Sequence, residues 1–136
     1  MNKKSARTLL VLSALVMALV ISPAAVSYPN GIQGVKDSGC NCHGATTNSE
    51  VVPSITGLPD QYNYSEIYEI TVSFVGGPTN PSNINQGGFN LWVSDGELSP
   101  SDATVQSYSV NEVSHTEAGN DQTSWTLTWT SPSSDR

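Results

Sequence analysis

Positive charge is almost missing from this chain. Three of its five lysines and arginines, Lys3, Lys4 and Arg7, lie in the first seven residues. Beyond residue 27 only Lys36 and Arg136 remain, against twelve aspartates and glutamates, so that part carries a net charge of two minus twelve, near −10. A surface of that sign is a poor partner for nucleic acid or for an anionic membrane. Methionine occurs only as Met1 and Met17, and histidine only as His43 and His115. After the N-terminal region there is no second long apolar run and no stretch of capped helical periodicity. Catalytic constellations are missing too. There is no Ser-His-Asp order beside an oxyanion glycine motif, no phosphate loop, and no defensible pair of carboxylates. An enzyme is not expected.

The N-terminus is built for export. Lys3, Lys4 and Arg7 form a positive region, residues 9–21 an uncharged apolar one, and Ala25-Val26-Ser27 a small-x-small cleavage site. The apolar run is shorter than the ~20 residues of a bilayer span, which favours a cleaved signal peptide over residues 1–27 rather than a retained anchor. An extracellular or cell-surface location is therefore expected. Any membrane attachment would come from an uncleaved signal or from a C-terminal anchor beyond Arg136. Asn63-Tyr64-Ser65 is a glycosylation sequon of the kind exported loops carry.

Residues 28–50 show no hydrophobic period and are rich in Gly, Asn, Ser and Thr, so they are expected to be loop. From residue 51 to 136 the period becomes two. Residues 51–56, broken by Pro53, predict an edge strand. Tyr68, Ile70, Val72 and Phe74 alternate with polar residues and predict a half-buried strand. A long polar turn region follows, up to Gly87-Gly88. Phe89, Leu91 and Val93 predict the next strand, closed by the Asp95-Gly96 turn. Residues 105–110 give a weaker strand, and Trp125, Leu127 and Trp129 the strongest. The pattern predicts an all-β, antiparallel immunoglobulin-like sandwich. Four clear strands and one or two weak ones fall short of the ~7 such a sandwich uses. The expectation is a domain truncated at its C-terminal strand, with residues 125–130 lacking a partner.

The chemistry concentrates in Gly39-Cys40-Asn41-Cys42-His43-Gly44, which holds both cysteines of the chain and one of its two histidines. Haem c attachment needs two thiols for the two vinyl groups and a histidine directly after the second thiol. Cys42-His43 has that adjacency, but the spacing is C-x-C-H, one residue shorter than C-x-x-C-H. No methionine is available as a second axial ligand, which leaves His115. Three other fates stay open. Cys40, Cys42, His43 and His115 could form an S₂N₂ site for zinc or copper. The two cysteines could close a strained, redox-labile disulfide. Or the thiols could remain free.

Four motifs in order are GCNCHG, Gly87-Gly88-Phe89-Asn90-Leu91, His115-Thr116, and Trp125 to Pro132 in the pattern W-x-x-x-W-T-x-P. Together they resemble the choice-of-anchor V domain, a Reeler-like extracellular β-sandwich, over roughly residues 39–132. The resemblance implies a surface protein with a haem-type segment packed against the sandwich, and a further strand and anchor after W-T-x-P. It matches Cys40, Cys42 and His43 to that segment and His115 to the His-Thr pair. The leading expectation is a surface electron-transfer module with His43 proximal and His115 distal, serving a redox partner that the sequence does not name. The alternative is a cell-surface adhesion or ligand-binding module in which the Cys-His segment is a metal site or clip. Trp92, facing opposite to Leu91, would then be a ligand platform unless a neighbouring loop covers it.

Overall fold

The computed structural model describes residues 28–37, 49–77, 81–82 and 84–135. The expected signal peptide and the Cys40, Cys42, His43 cluster lie outside the described residues. Seven strands follow in order: β1 (Val52–Thr56), β2 (Ile67–Val75), β3 (Asn90–Trp92), β4 (Glu97–Pro100), β5 (Val105–Ser109), β6 (Glu112–His115) and β7 (Ser124–Thr130). One 3₁₀ turn, Glu117–Gly119, precedes β7. The strands form two antiparallel sheets, β1-β2-β7-β4 and β3-β6-β5. This is the all-β sandwich that the period-two pattern predicts.

The two sheets meet over alternating apolar positions. Ile70 of β2, Leu98 of β4, Val105 of β5, Val113 of β6, and Trp125 and Leu127 of β7 are buried. Val72, Phe74, Phe89, Leu91 and Trp129 pack around them. Both β7 tryptophans satisfy their indole N–H groups, as buried indoles usually do. Trp125 Nε1 donates to Gly119 O at 2.8 Å, and Trp129 Nε1 to Asp95 O at 3.1 Å. Along one side the sheets are joined where Leu98 N donates to Val110 O at 2.7 Å.

Two strands escape the sequence pattern. β4 has one buried apolar residue, Leu98, and β6 has one, Val113. Four residues with a single apolar position cannot display a period. β4 is the partner that residues 125–130 were expected to lack. Its Leu98 lies opposite Trp129, while β2 occupies the other edge with Val72 opposite Trp125. Both edges of β7 are thus paired, and the inferred gap in the sheet does not exist. β3 is also shorter than the Phe89–Val93 alternation suggests, because only three residues find partners on β6.

Residues 28–37, expected to be loop, have no regular structure but a definite place. They lie as a strap across the outer face of the β3-β6-β5 sheet, whose polar side chains receive it. Asn90 Nδ2 donates to Ile32 O at 2.8 Å, and Ser114 Oγ accepts from Ile32 N at 3.3 Å. Glu112 Oε1 accepts from Gly34 N at 2.7 Å, Tyr108 OH donates to Asn30 O at 2.9 Å, and Gln106 Nε2 also donates to Asn30 O. Ser114 is consequently fully buried although it faces away from the core. At the end of the strap Lys36 Nζ sits 4.1 Å from the centre of the Trp92 ring. Lys36 thus lies over one face of Trp92, whose ring stays at the surface, 36 % exposed.

These environments predict unequal costs. Trp125→Ala removes a 1 % exposed indole from the contact between sheets and should cost about 3–5 kcal/mol of stability. Trp92→Ala removes one exposed cation–π contact and should cost about 1 kcal/mol or less. Chemical denaturation of both variants checks this; equal losses would contradict the placement of the two rings.

Candidate functional site

A cleft of about 620 Å³ opens between the β1–β2 side of one sheet and the β3–β6 side of the other. That lies within the 300–1,000 Å³ usual for small-molecule and cofactor sites. Val51, Pro53, Val72 and Phe74 form one wall, Gly87, Gly88, Phe89 and His115 the other, and Tyr28, Pro29, Gly31 and Ile32 of the strap also line it. The walls are largely apolar, with the imidazole of His115 among the few polar groups.

His115 is placed by three local features. It closes β6, opposite Val105 of β5. Thr116 then ends the strand by capping the 3₁₀ turn, with its hydroxyl accepting from Gly119 N at 3.2 Å and donating to Ala103 O at 2.7 Å. The His-Thr pair thus marks the point where the chain leaves the sheet. The third feature is Gly87-Gly88. A Cβ on Gly88 would lie 2.3 Å from His115 Cε1 and 2.6 Å from each ring nitrogen. A Cβ on Gly87 would lie 2.2 Å from Phe74 Cζ. Only glycines let the backbone lie this close to both rings. Phe89 follows, its ring centre 4.9 Å from that of Trp125, which is also 6.5 Å from the imidazole.

The backbone of Phe89 grips the imidazole through one nitrogen. Phe89 N donates to His115 Nδ1 at 3.1 Å, and Phe89 O lies 3.2 Å from the same atom. The site therefore accommodates two neutral tautomers. When Nδ1 accepts from Phe89 N, Nε2 carries the proton and is a donor. When Nδ1 carries the proton and donates to Phe89 O, Nε2 is a lone pair. The carbonyl already accepts Ser114 Oγ–H at 2.6 Å and His115 N–H at 3.4 Å. Nε2 has no hydrogen-bond partner among the described residues, so an occupant of the cleft can select the tautomer.

Of the sequence-predicted ligands, His115 is in the cleft wall. Cys40, Cys42 and His43 lie outside the described residues. Among the described residues, no three His, Cys, Asp or Glu side chains come together to hold a metal ion. The sequence pattern did not reveal Pro53, Val72 and Phe74 as site residues, because alternation marks a position as inward without separating core from cleft. No helix among the described residues is long and apolar enough to cross a membrane. Comparison with protein-family models, curated proteins and solved structures gave no match.

Gly88→Ala is expected to force the imidazole or the loop aside. The cost should be about 1–3 kcal/mol, the usual range for overpacking, with displaced His115 imidazole signals in the NMR spectrum. Unchanged signals and an unchanged unfolding midpoint would contradict the close approach.

Proposed function

We propose that this chain is an exported β-sandwich of the choice-of-anchor V type and that its cleft holds a haem attached to the Cys40-Asn41-Cys42-His43 segment. The observation carrying this reading is convergence. Gly87-Gly88-Phe89 and His115 are far apart in sequence, yet they meet at the wall of one apolar cleft, with Trp125 packed behind Phe89 and His115. The chain length permits the GCNCHG segment to reach the same place. Val51 lines the cleft, and His43 stands eight residues before it, a reach of up to ~28 Å for extended chain.

The residues present fit such a group. The apolar walls suit a flat macrocycle. Nδ1–H of His115 can donate to the Phe89 carbonyl in place of the 3.4 Å His115 N–H contact, and such a second-shell bond is the common way of leaving Nε2 free as a ligand. Cys40 and Cys42 would hold the group through thioether bonds, with His43 and His115 on the iron. When bound, haem supplies a one-electron couple, so the role proposed is electron transfer at the cell surface. The chain itself orients the His115 ring through Phe89 and excludes water with Phe74 and Phe89.

A second reading has an observation of its own. Phe89 N donating to Nδ1 makes Nε2–H a hydrogen-bond donor at an apolar wall, which suits a small apolar ligand with one acceptor. In that case the Cys-His segment would be a zinc or copper site or a disulfide clip.

The full chain should be exported from a host with c-type maturation machinery, beside the double variant Cys42→Ala, His43→Ala. Intact mass should show a haem-sized increase and the pyridine haemochrome a c-type band, both absent from the variant. Bare chain mass, with or without a loss of two hydrogens, would rule out electron transfer by haem and favour the ligand-binding module.

A further inference from the structure

The end of the sandwich remote from the cleft carries a second feature. Phe74 of β2 reaches the cleft, whereas the turn before β2 lies seven residues away at the other end, ~23 Å along an extended strand. In that turn Tyr62 and Tyr64 are 41 % and 51 % exposed, on either side of Asn63. Two large rings side by side on one turn form a small exposed patch that a partner can cover.

The turn is not a loose loop. Ser65 takes a left-handed φ of 56°. Ser65 N donates to Pro132 O at 3.0 Å, Glu66 N to Ser131 Oγ at 3.0 Å, and Ser131 N to Glu66 O at 2.9 Å. Asn63 N accepts no role in a ladder but donates to Tyr68 OH at 2.9 Å, and Asn63 O accepts from Ser131 Oγ at 2.5 Å. With its backbone held inward, Asn63 leaves its exposed amide at the surface, where Nδ2 donates to Glu66 Oε2 at 2.6 Å. The neighbouring rings are fixed as well. Tyr62 meets Trp129 edge-on with centres 5.3 Å apart, and Tyr64 meets Tyr62 edge-on at 6.3 Å.

Asn63-Tyr64-Ser65 is an acceptor sequon, whereas Asn80-Pro81-Ser82 is disqualified by its proline. We infer that Asn63 is N-glycosylated and that its own glycan is the cover of Tyr62 and Tyr64. In the transfer, Asn63 Nδ2 bonds to the anomeric carbon of a lipid-phosphate-linked oligosaccharide. The bond from that carbon to the phosphate oxygen breaks, the lipid phosphate leaves, and the amide gives up one proton to the transferase. The second N–H remains for Glu66. The apolar C–H faces of the first sugars then lie against the tyrosine rings, far from the cleft. The inference rests on export, and on nothing about haem.

The test is to export the full chain from a host that N-glycosylates, recover it from the medium, and map its peptides by mass. A glycan on the peptide containing Asn63, lost in Asn63→Gln, is expected. Enzymatic glycan removal should lower the melting midpoint of the native sequence and leave that of Tyr62→Ala, Tyr64→Ala unmoved. Exported protein bearing an unmodified Asn63 would overturn the site. An unchanged midpoint, or the same shift in both proteins, would overturn the cover. Protein retained entirely within the cell would overturn export, and with it both this site and the exported haem reading, whereas exported protein lacking the glycan overturns the site alone.

Discussion

The closeness of the Gly88 backbone to the His115 imidazole is the contact on which the rest of the site depends. A Cβ at Gly88 has no room, so the ring can sit there only if residue 88 is glycine. Because the ring sits there, its Nδ1 falls between the N–H and the C=O of Phe89. Because Nδ1 is held, Nε2 is the nitrogen left for an occupant. The same two glycines bring Phe89 onto Trp125 and Phe74 against the loop. The orientation of the imidazole and the apolar wall thus follow from one steric constraint, and neither needs a charged group.

The strap answers a different physical requirement. An antiparallel sheet covered on one face normally shows water its other face. Here the outer side chains of the β3-β6-β5 sheet, Asn90, Ser114, Gln106, Glu112 and Tyr108, all bond to residues 28–37. Polarity at those positions serves attachment rather than solvation alone. Lys36, the only cation between residue 27 and Arg136, ends the strap over Trp92. The strap thereby fixes where the chain departs toward Cys40, and Val51 fixes where it returns at the cleft.

Much of the sandwich was legible because period two is a strong signal over long strands. β2 and β7, with their Tyr68, Ile70, Val72 and Trp125, Leu127, Trp129 sets, were placed within a residue or two. β4 and β6 were not, since one leucine and one valine carry no period, and the apparent gap beside β7 came from that silence. His115 was singled out by rarity, as one of two histidines, not by any strand signal. Its setting was partly legible in the Gly87-Gly88 pair. The cleft itself was not, because Val72 and Phe74 look like core residues until the packing of the opposite sheet is known. Nor was the strap, whose donors and acceptors are ordinary Asn, Gly and Ile backbone groups.

Electron paramagnetic resonance of the oxidised, haem-loaded protein, compared with its His115→Ala variant, tests the central claim most directly. If Nε2 of His115 completes the coordination begun by His43, the native protein gives a low-spin ferric signal of two histidine ligands, and the variant turns high-spin. Identical spectra would mean that the iron never meets His115, and that the cleft beneath it serves some other occupant.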